Sequence, residues 1–307
     1  MRGAEQIGGD RSQRWLGCGW DYPGGVMRAG GAGPSPLRLP GRLAAGETFV
    51  STMSLGGQRF ERIVVCTPWL DPGVDLAAFL RASVGDRLES GDLVAVSEKV
   101  AVVATGRGIP AAVVRPGRLA RLVAAHVRPV GNSRGLSIPE KAQLVIDSVG
   151  WWRVAAAVAA GAVTRPLGIH GAFYVVAGYV ARSIDGMRPP YHDVLLPPLT
   201  PTEGRAIAEQ LTAELGHPVA IVDINDRGGS VRAVAGSAMS PRLLAGALCD
   251  NPLGQRDQST PIVVVRRGPA PNSAHQGWGS ALGGGRRARI WRIRPASGTP
   301  RRQLANR

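Results

Sequence analysis

The sequence predicts a mixed α+β fold, a mixed sheet with helices packed against it. Three observations carry this. Short β-branched apolar runs alternate irregularly with amphipathic helical stretches, unlike the strict alternation of a repeated βαβ unit. The periodic region spans residues 58–266, a length that fits one large domain. Neither a Gly-x-Gly-x-x-Gly turn after a strand nor a Gly-x-x-x-x-Gly-Lys-Ser/Thr phosphate loop occurs, so the common nucleotide-binding folds lose their signature.

Residues 1–57 are rich in Gly, Pro and Arg without a sustained apolar period, and are expected to be a disordered extension, with Met53 as an alternative start. Arg59 to Thr67 reads as a strand through Ile63-Val64-Val65-Cys66. Asp75 is a good N-cap for a helix reaching Ala82. Leu93 to Val103 reads as a second strand, with Glu98 and Lys99 set inside an apolar run. Charges there are costly unless paired, so they mark either a functional position or a strand-to-helix junction.

Helices are expected over Gly117–Val127, Pro139–Val149 and the Ala-rich Trp151–Val163. Ala172–Ala177 reads as a strand, and Val180–Pro198 as a polar connection carrying Arg182, Asp185, His192 and Asp193. His170 and His192 read as surface residues first and as bases second. Pro201–Leu215 has Ile207, Leu211 and Leu215 at helical spacing and Gly216 as its stop. Val219–Val222 is a buried strand, Val231–Gly236 a further strand, Pro241–Leu248 a helix and Pro261–Val265 the last strand. Residues 267–307 carry nine Arg and no acid, and are expected to be a disordered basic tail.

The net charge of +15 is concentrated in that tail; residues 58–266 hold 22 basic and 18 acidic residues. A nucleic-acid interface on the folded domain is therefore not expected. Three cysteines without Cys-x-x-Cys spacing fit a reducing cytoplasm. Val154–Val163 is too short to cross a bilayer, which takes about 20 apolar residues, so no membrane partner is expected.

The most chemically suggestive stretch is Val219-Ala-Ile-Val-Asp-Ile-Asn-Asp-Arg-Gly-Gly229. A strand delivering Asp223, Asn225 and Asp226 into a glycine turn can hold a hard cation such as Mg²⁺, or be an ordinary solvated turn. Crowded carboxylates favour a cation, making Asp223 and Asp226 candidate metal ligands. Phosphoryl transfer needs positioning and positive charge, for which Lys99, Arg107, Arg182 and Arg227 are candidates, each with solvated surface charge as its plainer role.

Three segments carry a family likeness. Gly91-Asp-Leu-Val-Ala-Val-Ser-Glu-Lys-Val-Ala-Val-Val-Ala-Thr-Gly-Arg107 resembles a signature of the coenzyme F-420 gamma-glutamyl ligases; Val176-Ala-Gly178 with Val194-Leu-Leu-Pro197, and Val219–Gly228, resemble two further stretches in the same order. The resemblance implies a gamma-glutamyl ligase-like fold over about residues 59–266, the joining of L-glutamate to the carboxylate of a deazaflavin precursor with GTP, a requirement for Mg²⁺ or Mn²⁺, and a homodimer. Among the candidate cations, Lys99 and Arg182 are expected as catalytic groups and Lys99, Arg107 and Arg227 at the nucleotide. The chain departs from the family pattern at Val176 and Val180, where the family has Asn and Asp, and at Asn225, which aligns with a family Asp; the carboxylate nearest Val180 is Asp185, so the expected metal set is Asp185, Asp223 and Asp226. The alternative is a non-catalytic paralogue that binds a nucleotide or phosphorylated ligand.

Overall fold

The computed structural model describes residue 37 and residues 43–129, 134–188, 191–225, 228–237, 239–254, 259–268 and 289–291. In chain order the strands are β1 (Thr48–Leu55), β2 (Gln58–Val65), β3 (Leu93–Ser97), β4 (Ile109–Pro110), β5 (Asp185–Arg188), β6 (Tyr191–Leu196), β7 (Val219–Asn225), β8 (Gly228–Ala235), β9 (Ile262–Arg267) and β10 (Arg289–Trp291). The helices are α1 (Leu76–Val84), α2 (Glu98–Ala104), α3 (Arg118–His126), α4 (Pro139–Val149), α5 (Trp151–Thr164), α6 (Ala172–Ala177), α7 (Tyr179–Ser183), α8 (Pro201–Leu215) and α9 (Pro241–Ala247). The architecture is α+β.

The large sheet runs β10-β1-β2-β9-β3-β7-β8. Its pairs are antiparallel except β3 with β7, which run parallel and place Ser97 opposite Val222. Strand β3 and the first four residues of β7 are buried on both faces, which is why both read as continuous apolar runs rather than alternating ones. One face packs on α1, α2 and α8 through Leu80, Val96, Val102 and Leu211. The other packs on α9 through Phe49, Phe60, Leu244 and Leu248. A third core, with Leu136, Val145, Val154 and Ala177, joins α3 to α7 into a helical lobe. The small sheet β4-β6-β5 lies between lobe and main sheet in sequence.

Local signals explain most helix ends. Asp75 accepts the Ala78 amide at 3.0 Å, Thr200 and Glu203 form a capping box on α8, and Gly216 closes α8 in the left-handed region. Beneath the sheet, Arg62 is fully buried and pairs with Asp250, and its guanidinium also donates to the Ala247 carbonyl at 3.0 Å. A lone charge at that depth would be prohibitive; the bidentate partner makes it tolerable.

Several expectations are corrected. The folded region begins before residue 58, because Thr48–Leu55 pairs along its whole length with Gln58–Val65 and buries Phe49. Met53 lies inside β1, so a start there would cut the strand. At the other end Arg267 belongs to β9 and Arg289–Trp291 pairs with β1, so the basic tail contributes to the sheet; its other residues from 269 on lie outside the described residues, as do 1–36. The run expected as one strand from Leu93 to Val103 is strand to Ser97 and helix from Glu98. Ala172–Ala177 is a helix, framed by Gly171 and Gly178 at positive φ and packed on α5. The connection Val180–Pro198 holds α7 and the β5–β6 hairpin.

A chain begun at Leu37 is expected to keep the thermal transition of the full-length protein. A chain begun at Met53 loses Phe49 and most of the β1 ladder; the Phe49 contribution alone is about 3–5 kcal/mol. Calorimetry of the two truncations checks this, and equal stability of both would contradict the placement of β1.

Candidate functional site

The parallel register sets the site. With Ser97 opposite Val222, the residue that follows each, Glu98 at the start of α2 and Asp223 on β7, emerges at the same level towards the carboxyl ends of β3 and β7. Open sheets present ligand sites at such strand ends. Glu98 is the first residue of α2 and is only 4% exposed; Asp223 is half-buried. The pairing of β7 with β8 shifts register between Ile221 and Val222, so that Ala233 and Val231 have partners while Arg232 is the extra residue of a bulge. Bulges re-aim side chains, and this one directs Arg232 to both acids. Its Nε and Nη2 donate to the two Glu98 oxygens at 3.1 Å each, and Nη2 donates to Asp223 Oδ2 at 3.0 Å. The guanidinium carbon lies 4.7 Å from the Tyr179 ring centroid, a cation–π distance. The Tyr179 hydroxyl donates to the Leu199 carbonyl, and the Leu199 amide donates to Glu98 Oε1 at 2.7 Å.

The neighbouring pair is Lys99 and Asp185, with Nζ 2.6 Å from Oδ2. Asp185 opens β5, where Gly186 takes φ 91° and a Cβ would meet the Val194 carbonyl oxygen at 2.2 Å. Glycine is therefore required there, and the tight β5–β6 pairing fixes the acid beside α2. Glu98, Lys99, Val102, Ser183, Asp185, Leu196, Pro197, Pro198 and Asp223 line one pocket. It encloses about 10 Å³, room for one water-sized group.

Burial dominates the electrostatics. It pushes the Glu98 carboxyl up to about 7, against the opposing pull of Arg232 and with a further push from Asp223. Burial also raises Asp223, although Arg232 and Lys99 pull it down. At Asp185 burial works upward too, but the Lys99 charge and hydrogen bond outweigh it and hold the carboxyl below its ordinary value. Burial likewise pushes the Tyr179 hydroxyl up, so it stays a proton donor.

The structure brings together Lys99, Asp185 and Asp223 of the expected set. Asp226 and Arg227 lie outside the described residues. Arg107 is placed elsewhere: it pairs with Glu203 at the start of α8 and does not line the pocket. Arg182 is half-buried on α7, next to the lining residue Ser183, and is not itself a lining residue. His192 is exposed on β6. Arg232 and Tyr179 were not anticipated; the only sequence signal near them is the pair of charges Glu98-Lys99, which required partners.

Of the three donors expected for Mg²⁺ or Mn²⁺, Asp185 and Asp223 are among the described residues. Asp223 is occupied by Arg232 and Asp185 by Lys99, and among the described residues no cluster of three or more His, Cys, Asp or Glu is set to hold a metal. No family model and no curated protein matches the chain. Among the described residues no single helix is long and apolar enough to cross a membrane.

Folding raises Glu98 from 4.5 to about 7, so the native state holds a proton that the unfolded chain releases. The stability this group contributes is fully present below the unfolded value and is lost as pH rises through the folded one. The melting temperature is expected to fall between about pH 5 and 8, and Glu98→Gln should flatten that fall. Calorimetric scans of both proteins check it; equal slopes would contradict the placement of the titrating proton at Glu98.

Proposed function

We propose that the chain is a divergent relative of the coenzyme F-420 gamma-glutamyl ligases, a GTP-dependent carbon–nitrogen ligase that adds L-glutamate to a carboxylate acceptor of the deazaflavin class. One observation carries the reading. The three segments that resemble the family are far apart in sequence, yet Glu98 and Lys99 from the first, Leu196 and Pro197 from the second and Asp223 from the third line one pocket. Asp185, from the connection between the second segment's two parts, joins them there.

The reaction class needs a phosphoryl group moved from GTP to the acceptor carboxylate, leaving GDP and an acyl phosphate. The glutamate amine then attacks the acyl carbon, phosphate departs with the C–O electron pair, and the amine loses a proton. Lys99, half-exposed at the pocket mouth, supplies positive charge to a phosphate. Glu98, with its carboxyl near neutrality, is the described acid suited to take the amine proton. Arg182 on α7 is within the segment that carries Ser183 to the pocket and serves the same anionic substrates. No step is assigned to a protein-held divalent ion. The setting is the cytoplasm, in keeping with the sparse cysteines.

The second reading, a paralogue that binds a nucleotide or phosphorylated ligand without ligation, is favoured by the engagement of Asp223 with Arg232. Incubation of the full-length protein with GTP, L-glutamate and a deazaflavin precursor separates the two. Glutamate-dependent phosphate release is expected, and Lys99→Ala is expected to lower kcat by roughly 100-fold. GTP binding without release would favour the paralogue, and the absence of both would remove the nucleotide reading.

The proposed assembly is a homodimer through α5. Its outer face carries Trp152, Ala156, Ala159 and Val163 at helical spacing, with Trp151 and Trp152 69% and 64% exposed. Exposed apolar faces of this kind mark interfaces. Light scattering is expected to show a dimer that Trp152→Glu dissociates, and a monomeric wild type at micromolar concentration would contradict it.

A further inference from the structure

The position of Arg232 has a chemical consequence of its own. Glu98 and Asp223 come from different elements, the start of α2 and the end region of β7, and the register of β3 on β7 sets them side by side. Two carboxylates so placed repel unless a cation lies between them or one takes a proton. Oxygen pairs of this kind are what a hard divalent ion takes as ligands. Here a single guanidinium fills that place. It reaches Glu98 with two N–H donors at 3.1 Å and Asp223 with a third contact at 3.0 Å, and its side chain is 9% exposed. The fork geometry of arginine suits such a bridge; the charge is permanent and the hydrogen bonds to carboxylates are charge-assisted.

Two features hold the arginine in this position. The bulge between Ile221 and Val222 makes Arg232 the unpaired residue of β8, so its side chain is not committed to the alternation of the ladder. The Tyr179 ring covers the guanidinium at 4.7 Å, and its hydroxyl is tied to the Leu199 carbonyl. Both features belong to the fold and are in place before any ligand arrives.

From this geometry we infer that Arg232 is a resident cation that takes the place of a divalent metal between Glu98 and Asp223. The acid pair is bridged by a cation of the chain itself, and a divalent ion enters between these two carboxylates only if the guanidinium leaves. Removing the charge of Arg232 therefore creates a metal site where the native protein has none. This inference concerns metal affinity in the absence of nucleotide, so it stands or falls separately from the ligase reading.

The test titrates full-length protein with Mn²⁺ and measures the free ion by electron paramagnetic resonance. Wild type is expected to show no Mn²⁺ uptake that depends on Asp223. Arg232→Met, which keeps the apolar stem and removes the charge, is expected to bind one Mn²⁺ at least ~10-fold more tightly than wild type, because it leaves two carboxylates without their cation. Adding Asp223→Asn should abolish the gain, and Arg232→Lys, which retains a cation, should not show it. Wild-type uptake that Asp223→Asn removes would overturn the inference, with no Arg232 variant needed. A folded Arg232→Met protein that gains no Mn²⁺ would overturn it as well.

Discussion

Glu98 is the constraint on which the rest of the site depends. A carboxylate at that depth is unfavourable unless its oxygens are used, and each is: the Leu199 amide and the Arg232 guanidinium supply the donors. Those two partners lie 101 and 134 residues further along the chain. One buried acid thus ties together the start of α2, the entry to α8 and the bulged strand β8. Removing one partner while leaving the others buried costs more than the net value of the pair, which makes the cluster a strong determinant of how these segments meet.

The cluster sits where the sheet changes direction. Strand β3 has an antiparallel neighbour, β9, on one side and a parallel neighbour, β7, on the other. Strand β3 ends at Ser97, opposite Val222, while β7 runs on to Asn225 beside β8, so Glu98 at the start of α2 and Asp223 on β7 bring their charges to one level. The antiparallel pair of β5 and β6 brings Asp185 to the same point from the side, through a close approach to the β6 backbone that Gly186 permits. Lys99 pairs with that acid, and Arg232 bridges the other two. Three acidic groups thus share two cations at this point of the fold.

Much of the fold was legible because local signals agreed with packing. Asp75, the Thr200–Glu203 box and Gly216 mark helix ends by chemistry that acts within a few residues. The strand–helix boundary at Ser97 was marked only by the charges Glu98-Lys99, read as a functional position or a strand-to-helix junction, because burial is continuous across it: β3 is covered on both faces and α2 faces the core, so both parts are apolar. Ala172–Ala177 has a strand-like composition, and its helical state comes from packing on α5. Thr48–Leu55 was obscured by the glycine and arginine around it, although Phe49 and its partners in β2 decide its place. At the site, Asp223 and Lys99 could be seen as charges bordering apolar runs. Arg232 could not, because a period-two strand gives it no special role; the register shift that turns it inward is a property of the pairing of β7 with β8. Tyr179 belongs to the site only through contacts with Arg232 and Leu199, which no local pattern encodes.

Hydrogen–deuterium exchange with and without GTP and L-glutamate tests most directly whether these elements form the ligand site. The account predicts slowed exchange confined to the segments around residues 97–105, 183–199 and 219–225, the three that meet at the pocket. Protection located instead in the groove between α1 and α8, which Leu76, Ile207 and Gln210 line, would contradict it.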